Sequence, residues 1–143
     1  MRFWDSSAVV PLVISEPTTG TMIAMLADDR EIALSWFTSV EVTSAICRRW
    51  RETGDDVTKR NSDELIDALL RKALEIRDIR SVALHARVIL ERHALKAADA
   101  LQLASALVLQ ATEDQPLPFV TLDHRLADAA RAEGLTVITS TPR

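Results

Sequence analysis

Two rhythms of apolar residues take turns along this 143-residue chain. Short runs rich in branched and aromatic residues read as strands: residues 2–5 (RFWD), 31–35 (EIALS), 117–122 (LPFVTL) and 135–140 (LTVITS). Between them apolar positions recur at helical spacing. Val42, Ala45, Ile46 and Trp50 mark a helix over 38–52, and Leu65, Ile66, Leu69 and Leu70 mark one from about Thr58 to Leu74. Residues 82–93 make another. The stretch Ala97 to Gln110 is almost wholly apolar, so its helix should be buried on most sides. DSSAVVPL opens a short helix that Pro11 and Pro17 limit, and residues 18–27 read as the next. Gly54 with Asp55 and Asp56 makes a turn. Residues 75–80 suit a short strand or a loop. A last helix runs from Asp123 to Glu133, closed by Gly134.

Strands alternating with helices imply an α/β fold, a parallel sheet covered on both faces, within a single domain over residues 1–143. In such sheets the site lies beyond the carboxyl ends of the strands. The uncharged stretches are too short to cross a membrane, and Asp5 and Ser6 interrupt any signal-peptide core. The single Cys47 excludes an internal disulfide and a cysteine zinc site, so a reducing, cytoplasmic setting is expected.

Four acids stand alone in apolar surroundings: Asp5, Glu41, Asp99 and Asp123. A lone carboxylate at the edge of a buried element is costly unless something compensates it. Four on four different elements point to one shared compensator, and a hard divalent cation such as Mg²⁺ prefers oxygen ligands. Each acid also has a plainer explanation. Asp5 and Asp123 suit helix caps. Glu41 shares a face with Ser44 and Arg48 that solvent would satisfy. Asp99 is harder to explain, because Asp is a poor helix former and only Lys96 is near in sequence.

The net charge of −4 is unevenly spread. Residues 1–47 carry two basic and six acidic side chains, 48–96 twelve and nine, and 97–143 three and six. The lone acids thus lie in negative flanks around a basic middle. That pattern suits a metal-dependent enzyme on a phosphate polymer better than a simple electrostatic DNA-binding module. Ordinary solvated surface explains the middle excess equally well. No P-loop, GxGxxG or GxSxG is present. His85, His93 and His124 form no metal-spaced pair.

The ordered set DSSA, TSVEVTSAICR, AADALQLASAL and VTLDHRLADAA resembles the PIN domain, and within it the VapC-type toxins of toxin–antitoxin pairs. The resemblance spans nearly the whole chain. It implies a three-layer α/β/α sandwich with a mainly parallel central sheet. It also implies an Mg²⁺- or Mn²⁺-dependent endoribonuclease, usually a homodimer, inhibited by a cognate antitoxin. Asp5, Glu41, Asp99 and Asp123 match the family's four acids in order; Asp5 and Asp99 match the positions most often bound directly to metal. Ser6 and Thr121 match supporting hydroxyl positions. His124 departs from the commoner residue there, and the overall acidity is unusual for a protein that cuts RNA.

On this reading Asp5 and Asp99 hold the metal, Asp123 completes the set and Glu41 acts through metal-bound water. Ser6 and Arg48 would meet substrate or ligand, and Thr121 would steady Asp5. Clustered carboxylates without metal should raise one another's pKa. Trp36, Phe37 and Trp50 flank the Glu41 helix, where they line either a groove for a partner helix or the core. The alternatives are a silent binding module that keeps the fold, a metal-dependent phosphatase, and a receiver-type phosphoacceptor. The last would need an acidic pair after the first strand and a Lys after a late one; this chain has neither.

Overall fold

The computed structural model describes residues 1–140. Five parallel strands form its sheet: β1 (Arg2–Trp4), β2 (Ile32–Ser35), β3 (Leu74–Ile76), β4 (Pro118–Val120) and β5 (Thr136–Ile138). Their spatial order is β3-β2-β1-β4-β5. Chain order therefore reverses at the middle of the sheet, where β1 pairs with both β2 and β4. Parallel neighbours need helical crossovers. The described residues supply seven helices: α1 (Ser6–Val13), α2 (Thr19–Asp28), α3 (Thr38–Thr53), α4 (Asp56–Leu70), α5 (Ile79–Arg92), α6 (Ala97–Gln110) and α7 (His124–Ala132).

Strand side chains alternate between two cores, as a pleated strand buried on both faces requires. Phe3, Ala33 and Phe119 point to the layer of α5, α6 and α7; the Phe3 and Phe119 rings stack at 5.6 Å. Trp4, Ile32, Leu34 and Val120 point to the layer of α1 to α4, against Val9, Met22, Val42, Ile46 and Ile66. The result is the expected three-layer α/β/α arrangement.

Several element boundaries differ from expectation; the helix expected from Val82 starts at Ile79. The helix expected over Thr58–Leu74 starts earlier and stops sooner. Asp55 caps it by accepting the Thr58 N–H at 3.0 Å, and it ends at Leu70. Leu74 extends the helical leucine spacing, yet it pairs with Ala33 as the first residue of β3. The uncertain 75–80 segment is therefore partly strand. Pro11 lies inside α1 instead of ending it, although it has no N–H to give the turn before. Two residues later the helix stops at Val13. Gly54 ends α3 at φ 67°, the left-handed conformation that favours glycine.

Candidate active site

At the carboxyl edge, the reversal between β1 and β4 opens a crevice. Asp5 leaves β1 as the N-cap of α1, and Asp123 follows β4 as the N-cap of α7. Glu41 sits in the first turn of α3, just after β2, and Asp99 in the first turn of α6. The capping explanations for Asp5 and Asp123 hold, yet a cap uses only part of a carboxylate. Asp5 takes every hydrogen bond on Oδ2: from Ser7 N–H at 3.2 Å, from Ser7 Oγ, and from Thr121 Oγ1 at 2.9 Å. Asp123 accepts the Leu126 N–H on Oδ1 at 2.9 Å. Glu41 accepts on Oε2 only, from Ser6 Oγ at 2.5 Å and Gln102 Nε2 at 2.6 Å. Each of these three acids has one oxygen tied to the scaffold and the other free of hydrogen bonds among the described residues.

The electrostatics tie the four together. Asp5 is buried, and burial pushes its carboxyl up to about 6; bonds from Ser7 and Thr121 pull the other way, and the charge of Glu41 adds to the rise. Asp99 is raised chiefly by desolvation, then by the charges of Asp123 and Glu41, against a counter-pull from Lys96. No ion pair to Lys, Arg or His reaches any of the four among the described residues. Among the described residues their negative charge is opposed only by the field of Lys96 on Asp99.

These residues suit a hard dication by donor type, by their free oxygens and by their unbalanced charge. No three His, Cys, Asp or Glu side chains among the described residues are gathered into a ready-made cage. An ion such as Mg²⁺, which keeps several waters, would complete its shell with water between the carboxylates.

The supporting residues divide. Ser6 is buried and bridges Gln102 and Glu41. Thr121 donates to Asp5 Oδ2 and accepts the Asp123 N–H at 3.1 Å, so it couples two of the acids. Arg48 is exposed on α3 and makes no hydrogen bond or ion pair to the site. Trp36 and Trp50 lie at opposite ends of α3 and form no common groove. Phe37 is buried, and Trp50 is held by Asp56, which accepts its Nε1–H at 2.8 Å, with Lys59 over its ring.

Two site residues escape the sequence reading. Ser7 Oγ bonds Asp5, accepts the Leu122 N–H at 2.9 Å and lies 3.2 Å from Thr121 Oγ1. Gln102 is fully buried in α6, where Nε2 reaches Glu41, Ser6 Oγ at 2.5 Å and Thr38 Oγ1 at 3.1 Å. Its Oε1 is buried without a partner. The carboxylate of Glu41 can only accept, which fixes the amide with its nitrogen toward it. An amide in the middle of an apolar helix is the signal that marks Gln102.

The PIN domain family model matches residues 2–132. No curated protein matches the chain. Solved structures share the fold at low identity. One is titled as FitAcB from Neisseria gonorrhoeae: TM-score 0.68, 18% identity, 98% of each chain covered. Another is a toxin-antitoxin complex from Klebsiella pneumoniae: TM-score 0.66, 17% identity, 100% of each chain. A third is VapBC2 from Rickettsia felis bound to a promoter DNA fragment: TM-score 0.64, 14% identity, 96% of this chain and 97% of that one.

Proposed function

The chain belongs to the PIN domain family, and from that premise we propose that it is a metal-dependent endoribonuclease acting as the toxin of a toxin–antitoxin pair. PIN domains are generally nucleases. The observation that carries the reading is the set of four carboxylates without an ion pair among the described residues at the crevice beside β1 and β4, with one oxygen of Asp5, Glu41 and Asp123 left free by the described scaffold.

Asp5, Asp99 and Asp123 would hold Mg²⁺ or Mn²⁺. When bound, the ion supplies a more acidic water and charge relief on the phosphoryl oxygens. The chain's own residues do the rest. Ser7 and Thr121 hold Asp5 in place, so its free Oδ1 is aimed before any ligand arrives. Ser6 and Gln102 hold Glu41 by Oε2, leaving Oε1 to take a proton from a water in the crevice.

The partner reading is supported by the toxin-antitoxin complex from Klebsiella pneumoniae that shares the fold and by a surface away from the carboxylates. Leu12, Ile23, Leu26, Leu65 and Leu69 line an apolar groove of about 480 Å³ between α1, α2 and α4, flanked by Arg30 and Lys72. It fits the apolar face of a partner helix that carries acidic residues at its margins. We place the protein in the cytoplasm as a homodimer; no described helix is long and apolar enough to cross a membrane.

The test is cleavage of a mixed RNA pool by purified protein with Mg²⁺ or Mn²⁺. Cleavage should stop with EDTA and with Asp99→Asn, whose melting temperature should not fall. Cleavage that survives either change refutes the metal assignment; no cleavage by wild type in either metal refutes the nuclease.

A further inference from the structure

We infer that the cleft between the first turns of α6 and α7 holds the RNA backbone, its phosphates taken by Lys96, His124 and Arg125. This rests on the nuclease reading and says where its substrate lies. A cavity of about 500 Å³ opens there, lined by Leu95, Lys96, Asp99, Asp123, His124 and Arg125. Two of the four acids therefore share a wall with three residues of basic type. Lys96, His124 and Arg125 are exposed, and among the described residues their side chains make no hydrogen bond or ion pair.

Their positions are unfavourable for the helices that carry them. Lys96 is the N-cap of α6 and provides no side-chain cap; His124 and Arg125 open α7. A helix start already carries partial positive charge and is stabilised by acids, not bases. Helix stability gives no reason for basic residues there, and within the fold only Lys96 is offset, by the neighbouring Asp99. An anion entering the cleft gives one. The side chains, not the helix ends, make the site. A polyanion also resolves the clash between an acidic protein and an RNA substrate. Phosphates flanking the cut position meet the three basic residues, while the phosphate to be cut lies over Asp99 and Asp123.

The experiment measures binding apart from cleavage. A fluorescein-labelled, single-stranded oligoribonucleotide of mixed sequence is titrated with EDTA-treated protein over a range of salt, and anisotropy is read. Lys96→Ala/Arg125→Ala should bind about tenfold more weakly at low salt. Its log Kd should depend on log salt less steeply by roughly 1.4, about 0.7 for each lost contact to a single strand. Arg60→Ala, an exposed cation on the opposite layer, should bind like wild type. The melting temperature of the double variant should hold or rise. The inference is overturned if wild type does not bind, if the double variant binds like wild type, or if Arg60→Ala loses as much. Unchanged RNA binding would leave the cleft to an acidic segment of a protein partner. Binding lost in the double variant, in a protein that does not cut, would retain the cleft and reject the nuclease. RNA cut by a protein whose double variant binds normally would do the reverse.

Discussion

Replacing Asp5 with Asn should make the metal-free protein more stable while abolishing its activity. The Asp5 carboxyl titrates at about 6 against 3.8 in an open chain. At about 1.4 kcal/mol per unit, that rise is a penalty of about 3 kcal/mol on the ionised folded state. The sign follows from linkage. The folded state binds the proton more tightly than the unfolded chain, so stability falls as pH rises from about 4 through about 6 and stays reduced above it. Asn keeps the shape and the helix cap without the charge. Its amide must still find acceptors among Ser7 and Thr121, which costs about 1 kcal/mol. The net gain at pH 7 is about 2 kcal/mol, or roughly 6 °C for a chain of this size. Thermal unfolding in EDTA from pH 4 to pH 8 reads it directly. The variant should lag wild type by up to about 1 kcal/mol near pH 4, where only the amide cost remains, and pull ahead through the window to pH 6. Added Mg²⁺ should then raise the melting temperature of wild type and leave the variant where it was. A difference that stays flat with pH, or a variant less stable at pH 7, would show that Asp5 carries no uncompensated charge.

Gln102→Leu tests the scaffold beneath Glu41. It removes an unpartnered oxygen but also the Nε2 bonds to Glu41, Ser6 and Thr38, so stability should fall by about 1–3 kcal/mol, and RNA cleavage measured well below the melting temperature should fall at least tenfold through kcat; combining it with Glu41→Gln should cost no more activity than Glu41→Gln alone, and additive losses would reject the coupling. Leu65→Asp in the apolar groove should leave RNA cleavage and melting temperature unchanged and release the co-expressed partner on size-exclusion chromatography; a complex that survives places the partner elsewhere.

The layers and the parallel sheet were readable because strand runs and helical spacings are local. Sheet order was not, because nothing in RFWD or LPFVTL names its neighbour. The boundary at Leu74 misled for a physical reason: four-residue leucine spacing continues past the end of α4, and only pairing with Ala33 turns Leu74 into strand. The four acids were visible because each stands alone among apolar residues. The caps on Asp5 and Asp123 are local, but the bonds from Thr121 to Asp5 and from Ser6 and Gln102 to Glu41 were not visible, since they come from residues distant in sequence. Ser7 read as part of a helix start, and Gln102 as one polar residue in an apolar helix. Both depend on tertiary placement. Trp50 looked available for a groove because Asp56, its hydrogen-bond partner, lies beyond the turn at Gly54.

The reversed strand order also sets when the site can exist. Asp5 and the Thr121 hydroxyl that steadies it are 116 residues apart in the chain. A growing chain emerging from the ribosome has made β1, Asp5, Glu41 and Asp99 long before β4 appears. During that interval β1 has an open edge on one side and Asp5 lacks its partner from β4. No N-terminal fragment, however well folded, can complete the crevice. Elongation at about 5–20 residues per second makes the wait several seconds long. Activity therefore switches on at the end of synthesis, when β4 docks. On the proposed toxin reading, that delay gives a partner already present time to be in place before the first cut.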